Sequence, residues 1–295
     1  MLLTPAWCRL RSGRSTNIKK WNLVIDVAKC EECHNCFLSC KDEHVNNDFL
    51  PFSLAQPQHA HRWLDILTKE RGQFPLIDVA NLPVLCMHCD NAPCIKKAKD
   101  GAVYKLESGI VIIDPVKAKG QKNILSSCPY KAIWWNEEKQ IPQKCTMCAH
   151  LLTDGWKAPR CVQACPTGAM SIINVEDSRM AEFIKEDKLE VLHPEYKTLP
   201  RVYYRNLYLY LKCFIAGSVA FQKDGITDCA DSAKVTLYRK TEKIGEMTAD
   251  NYGDFKFDNL DDGISYRLEI VYEAYPIKTI DVSLTASQNV GTILL

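Results

Sequence analysis

The chain has 295 residues, 46% hydrophobic and 25% charged, with 37 basic against 36 acidic side chains for a formal charge of +1. These values exclude a disordered or collagen-like chain, and the near-zero charge leaves no global field to draw the protein onto nucleic acid or anionic lipid. No stretch reaches the roughly 20 apolar residues a spanning helix needs, so no membrane span is expected.

The abnormal count is cysteine. Of fifteen, twelve lie between Cys30 and Cys165, in a chain long enough to bury a core without disulfide staples. Metal ligation is the better reading.

Residues 1–20 carry Arg9, Arg11, Arg14, Lys19 and Lys20 with no acidic residue. They read as a disordered basic extension, with Cys8 incidental. The stretch after its charges is polar, unlike a secretory signal, so a cytoplasmic protein is expected.

Leu23 to Val27 reads as a strand that feeds into Cys30, Cys33, Cys36 and Cys40, a C-x2-C-x2-C-x3-C run. Three thiolates two residues apart can wrap one cubane. The fourth, one helical turn on, serves the other cluster in two-cluster ferredoxins. The partner block is Cys145, Cys148, Cys161 and Cys165, closing on Pro166, Gly168 and Ala169. By this exchange one 4Fe-4S cluster takes Cys30, Cys33, Cys36 and Cys165, and a second takes Cys145, Cys148, Cys161 and Cys40.

Between them lie Cys86, Cys89 and Cys94, with Ala98 where a fourth cysteine should stand, and Cys128 before Pro129. Counting back from Cys128, the ligand positions hold Ile124, Gln121 and Ala118. Under the same exchange Cys86, Cys89, Cys94 and Cys128 make a complete third set. Positions 98, 118, 121 and 124 make a wholly absent one. Three 4Fe-4S clusters on twelve cysteines are therefore expected. Paired C-x2-C runs also build zinc sites, so a structural zinc protein organising an assembly is the rival.

His34, His88 and His150 lie in or beside cysteine blocks, but each retained set already has four thiolates, so hydrogen bonding near sulfur or surface exposure is expected of them. Tyr130, Trp134 and Trp135 read as strand-core packing, and Lys96, Lys97 and Lys99 as a solvated basic face. Met180 to Lys188 reads as a short helix and His193 to Arg201 as a linker. From Asn206 on, alternating runs such as Ala233 to Tyr238, Phe255 to Phe257 and Tyr266 to Tyr272, bounded by Gly, Asn and Asp, read as an antiparallel β sandwich or barrel. Cys213 and Cys229 are expected to be buried thiols.

The expected fold is thus α+β, two nested bacterial-ferredoxin-like units followed by an all-β domain. Residues 21–85 with 129–205 would carry two clusters, residues 86–128 one, and residues 206–295 the β sandwich or barrel.

Four ferredoxin-type blocks in this nested order resemble the iron–sulfur subunit of the dimethyl sulfoxide reductase family of molybdenum and tungsten enzymes, over residues 21 to about 205. The stretches CMHCDNAPC (Cys86 to Cys94), KCTMCAHLL (Lys144 to Leu152) and PRVYYRNL (Pro200 to Leu207) carry the resemblance. Together with the missing ligand set and the β-rich tail, they are similar to the pyrogallol-phloroglucinol transhydroxylase small subunits, a group that includes those of resorcinol-hydroxylating enzymes. The resemblance implies a heterodimer whose large catalytic subunit holds molybdenum on a bis-molybdopterin guanine dinucleotide and binds a polyhydroxylated benzene. This chain would carry electrons and supply no catalytic residue. A resorcinol-type hydroxylase or another molybdenum reductase of the family is the alternative partner. Gly253, Phe255, Phe257, Leu260, Gly263, Tyr266 and Leu268 are similar to the pattern of carboxypeptidase-regulatory-like β sandwiches; the tail offers no nucleophile and base pair, and docking onto the large subunit is its expected role.

Overall fold

The computed structural model describes residues 18–295, so the basic extension lies almost wholly outside the described residues. In chain order the elements are β1 (Lys20–Asp26), α1 (Asn35–His44), β2 (Leu64–Gln73), β3 (Leu76–Leu85), α2 (Pro93–Lys97), β4 (Val103–Lys105), β5 (Val111–Ile113), β6 (Trp134–Asn136) and β7 (Ile141–Gln143). There follow α3 (Ala149–Thr153), α4 (Arg160–Gln163), β8 (Met170–Val175), α5 (Asp177–Glu186), β9 (Val202–Arg205) and α6 (Tyr208–Leu211). The rest is strand: β10 (Cys213–Lys223), β11 (Ile226–Cys229), β12 (Lys234–Arg239), β13 (Glu242–Thr248), β14 (Asp254–Leu260), β15 (Ile264–Val271), β16 (Lys278–Leu284) and β17 (Gln288–Leu294).

The chain divides into two compact units. The first contains residues up to 26, 33–65 and 84–205. Its central strand is β1, whose Leu23, Val24 and Ile25 are fully buried, as an apolar run flanked on both edges requires. It pairs antiparallel with β8 (Ile25 opposite Met170) and parallel with β9 (Leu23 opposite Val202). Helix α5 covers it with Met180, Phe183 and Ile184, spaced three and four apart so that they share one face, packed with Val24 and Leu189. Two short antiparallel ladders, β4 with β5 and β6 with β7, fill the intervals between cysteine blocks.

The expected linker 193–201 is instead an ordered part of this unit. The backbone N–H groups of Asp90 and Asn91 donate to Leu199 and Thr198 carbonyls, and Arg201 N–H donates to Met87 O. The Arg201 guanidinium, itself buried, bonds both carboxylate oxygens of Asp90 at 2.8 Å, Asn22 Oδ1 at 3.1 Å and Asp177 Oδ1 at 3.0 Å. Two prolines suggested slack chain, but the polar partners that fix the segment lie far away in sequence.

The second unit contains residues 27–32, 66–83 and 206–295. Here β10 pairs antiparallel with β11 and β14 and parallel with β17, while β13, β12, β15 and β16 form a second sheet in that order. The alternation expected of the tail is present: Tyr266, Leu268 and Ile270 are buried while Ser265 and Arg267 are exposed. One buried cluster combines Ile215, Val219 and Phe255 of the first sheet with Leu237, Leu268 and Val282 of the second. The strands fall into two separate sheets with no closed barrel among the described residues. Gly253 sits at φ +78°, where an added Cβ would lie 2.2 Å from the Val219 carbonyl oxygen. No other residue type fits this turn.

Within this unit Arg71 on β2 is completely buried and bonds Asp78 Oδ2 at 2.5 Å and the two Asp258 oxygens at 3.1 and 3.0 Å. The far end of the hairpin strand β3 places Asn81 Nδ2 3.1 Å from Cys30 O. Among the described residues no helix is long and apolar enough to cross a membrane.

Candidate metal centre

Cys86, Cys89 and Cys94 surround the start of α2, and Cys128 ends the 3-10 turn Lys122–Ser127. The structure brings these four together. Burial pushes the Cys89 thiol up to about 12, and negative charge at Cys86, Cys128 and Cys94 adds to the rise while the Thr198 hydroxyl opposes it. Burial raises Cys94 to about 11, with Cys86 and Cys128 contributing, and it raises Cys128, again with Cys86.

Cys40, Cys145, Cys148 and Cys161 form a second grouping, all lining one small hollow floored by Leu23, Leu64 and Trp63. Cys40 lies at the end of a turn of α1, its carbonyl receiving Gln56 Nε2 at 3.2 Å. Burial raises its thiol well above the usual range, and Cys145 and Cys148 raise it further. Cys161 is raised well above its usual range by burial and then by Cys148, Cys145, Cys40 and Cys36. Burial takes Cys145 to about 11, with Cys86 of the other grouping the next contributor, so the two groupings are electrostatic neighbours.

Cys33 is exposed and Cys165 half-buried, whereas Cys36 is buried. Burial raises Cys165, but backbone N–H groups of Met170, Ala169 and Thr167 and the Thr167 hydroxyl outweigh it and hold the thiol below its ordinary value. Cys30, also half-buried, follows the 3-10 turn Val27–Lys29.

These donors fit 4Fe-4S clusters. Thiolates crowded in a dry site need a cationic core, and the thiols resist ionisation without one. The C-x2-C turns place Glu32, His34, His88, Met147 and Cys148 at φ between 45° and 58°, a backbone that turns successive N–H groups toward one side. One of them, Met147 N–H, donates to Cys145 Sγ at 3.3 Å. Among the described residues no three His, Cys, Asp or Glu side chains converge on a metal-ion position, while Cys40, Cys145, Cys148 and Cys161 line one hollow.

The four positions lacking cysteine are occupied in a different way. Ile124 and Ala118 are fully buried. Gln121 Oε1 accepts Lys99 N–H at 2.9 Å while its Nε2 donates to Lys117 O at 2.9 Å and Lys99 O at 3.3 Å. An apolar plug and an amide staple hold the loops there.

Among the other expected residues, His150 Nε2 lies 2.8 Å from Glu43 and its ring stacks on Phe49. Trp134 and Trp135 are half-buried on β6, and Tyr130 OH lies 2.7 Å from Thr198 Oγ1. Lys96, Lys97 and Lys99 are exposed. Cys213 is buried, but Cys229 is exposed because β11 is an edge strand with no covered face. None of the fourteen described cysteines is in a disulfide.

Sequence reasoning missed Lys144 and treated His88 only as one of three histidines. Both are buried beside the thiol groupings, joined through the Val111 peptide. The only local signal was a lysine immediately before the C-x2-C of Cys145.

Buried thiol groupings presented by C-x2-C turns among short ferredoxin-like ladders define an electron-transfer iron–sulfur protein. The sequence pattern of the 4Fe-4S dicluster domain matches residues 77–175. The pyrogallol hydroxytransferase small subunit of Pelobacter acidigallici is 45% identical over 256 residues, 86% of this chain and 91% of that one. A subunit of the tetrathionate reductase of Salmonella typhimurium is 34% identical over 194 residues, covering 64% and 73% of the two chains. The arsenate respiratory reductase iron–sulfur subunit of a Shewanella species is 29% identical over 232 residues, covering 62% and 94%. The chain belongs to the family of electron-transfer iron–sulfur subunits of dimethyl sulfoxide reductase-type molybdenum enzymes.

Proposed function

We propose that this chain is the electron-carrying small subunit of a cytoplasmic heterodimer. Its large subunit would hold molybdenum on a bis-molybdopterin guanine dinucleotide and act on a polyhydroxylated benzene of the pyrogallol or phloroglucinol kind. The observation that carries this reading is the 45% identity, over 86% of the chain, to a pyrogallol hydroxytransferase small subunit.

Three clusters would be held by Cys30, Cys33, Cys36 and Cys165, by Cys145, Cys148, Cys161 and Cys40, and by Cys86, Cys89, Cys94 and Cys128. Each 4Fe-4S cluster supplies a one-electron carrier when bound. The chain's own part is to hold thiolates at fixed spacing, exclude water with Leu23, Trp63 and Leu64, and aim N–H groups at sulfur. The two sheets around a common core read as a β sandwich that docks on the large subunit.

Anaerobically isolated complex should contain about 12 irons and matching sulfide per small subunit. Cys128→Ser should remove about four of them and one electron paramagnetic resonance signal, leaving two. Zinc without sulfide, or loss of the signal that Cys40→Ser also removes, would overturn this ligand map. The tetrathionate and arsenate reductase relatives favour, as a second reading, a reductase of another substrate. Turnover assays of the complex with trihydroxybenzenes, resorcinol and the inorganic oxyanions decide between them.

A further inference from the structure

Lys144 stands immediately before Cys145 and is 3% exposed. Its ammonium donates to Val111 O at 2.5 Å and to Cys145 O at 3.0 Å, both neutral carbonyls. Among the described residues no carboxylate pairs with it, and one of its three N–H donors has no acceptor. A buried charge is ordinarily matched by an opposite one, because leaving water costs it far more than two carbonyls return.

Val111 has a second role. Its N–H donates to His88 Nδ1 at 3.1 Å, inside the Cys86–Cys89 turn. A ring that accepts at Nδ1 carries its proton on Nε2. That Nε2 is buried without a partner among the described residues, on a side chain with no exposed surface. Val111 therefore orients, through its C=O and its N–H, an unpaired cation on the residue before Cys145 and an unpaired N–H donor on a residue that lies in sequence between Cys86 and Cys89. Lys144 acts electrostatically on Cys94 and Cys128 of one thiol grouping and on Cys145 of the other.

We propose that Lys144 is a buried countercharge shared by two neighbouring 4Fe-4S clusters, those of Cys86, Cys89, Cys94 and Cys128 and of Cys40, Cys145, Cys148 and Cys161. With the Nε2–H of His88, it raises their reduction potentials. The inference rests on the ligand map proposed above. Each electron taken up adds one negative charge to a cluster, so a fixed cation and an N–H donor beside it stabilise the reduced form more than the oxidised form. Lys144 and His88 are positioning residues in this sense: they hold the electron on this pair of sites and bond nothing that reacts.

The test is a dithionite redox titration of the intact anaerobic complex followed by electron paramagnetic resonance, with signals assigned through Cys128→Ser and Cys40→Ser. Iron and sulfide content is measured on every sample. Lys144→Gln should weaken reduction of both clusters at least tenfold, about 59 mV for a one-electron couple, and leave the cluster of Cys30, Cys33, Cys36 and Cys165 in place. Lys144→Arg should restore the wild-type potentials, which a merely structural role would not require. His88→Phe should lower only the cluster of Cys86, Cys89, Cys94 and Cys128.

Unmoved midpoints in Lys144→Gln, or Lys144→Arg shifting as far as Lys144→Gln, overturn the inference while the clusters themselves stand. If Lys144→Gln fails to load iron but Lys144→Arg loads fully, the charge is required and supports the inference. Failure of both to load overturns it. Zinc in place of iron in the wild type would instead defeat the functional reading beneath it.

Discussion

Replacing Arg71 with Met keeps an aliphatic side chain against Phe214 but removes the guanidinium that ties β2 to Asp78, Asp258 and the Lys212 carbonyl. Removing one partner of a fully buried pair costs about 3–5 kcal/mol. Here Arg71 is completely buried, yet the Asp78 and Asp258 side chains remain 32% and 22% exposed. Lys256 Nζ also stays 3.0 and 3.4 Å from the two carboxylates. The expected loss is therefore about 2–3 kcal/mol, which at about 4 °C per kcal/mol lowers the melting transition of this unit by about 8–12 °C. Differential scanning calorimetry of the anaerobic complex at one fixed scan rate measures it, with Asp258→Asn and the double variant completing a cycle. Burial raises the Asp78 carboxyl, but Arg71 and Lys256 outweigh it and hold it below the ordinary range. A carboxyl lowered on folding contributes stability above its unfolded value, about 3.9, and loses it as pH falls through the lower folded value. The Arg71→Met deficit should thus be constant from pH 7 to about 5 and shrink below about 4. A loss under about 1 °C, or single-variant losses that simply add, would refute the reasoning.

Gln121→Leu should cost about 1 kcal/mol through its lost backbone bonds and leave iron content unchanged; iron loss would show that position 121 belongs to a working site. Introducing cysteine together at positions 98, 118, 121 and 124 (Ala98→Cys, Ala118→Cys, Gln121→Cys, Ile124→Cys) should add about four irons on reconstitution, and an unchanged count would show that the vacated geometry no longer accepts a cubane. Gly253→Ala forces φ +78° on an alanine and sets its Cβ 2.2 Å from Val219 O. It should destabilise the β unit by at least about 2 kcal/mol, seen as a lower melting transition, and an unchanged transition would contradict that turn.

What the sequence disclosed follows the range of the interactions involved. Cysteine intervals are legible because a C-x2-C turn is set by four consecutive residues, and the alternation of Phe255, Phe257, Tyr266 and Leu268 is legible because a strand buries every second side chain. The helix expected at Met180 to Lys188 runs over Asp177–Glu186, its ends shifted. Residues 193–201 were misread because Arg201 is held by Asp90, 111 positions away. The hairpin segment 66–83, grouped with the β unit, is fixed by Asp258, 187 positions from Arg71. His88 and Lys144 meet through Val111, 23 and 33 positions distant. Such pairs leave no period or spacing behind, since any residue of suitable chemistry anywhere in the chain could supply them.

The position of β1 has a consequence for synthesis. It leaves the ribosome well before its two hydrogen-bonding neighbours β8 and β9, the latter ending at Arg205. At about 5–20 residues per second, translation leaves at least one edge of an apolar strand open for roughly 10–35 s. The cysteines from Cys86 to Cys128 have all emerged well before that interval ends. Any iron donor to the proposed inner ligands would therefore meet a nascent chain whose outer sheet is still unformed, and a holding chaperone would find its natural target in Leu23, Val24 and Ile25.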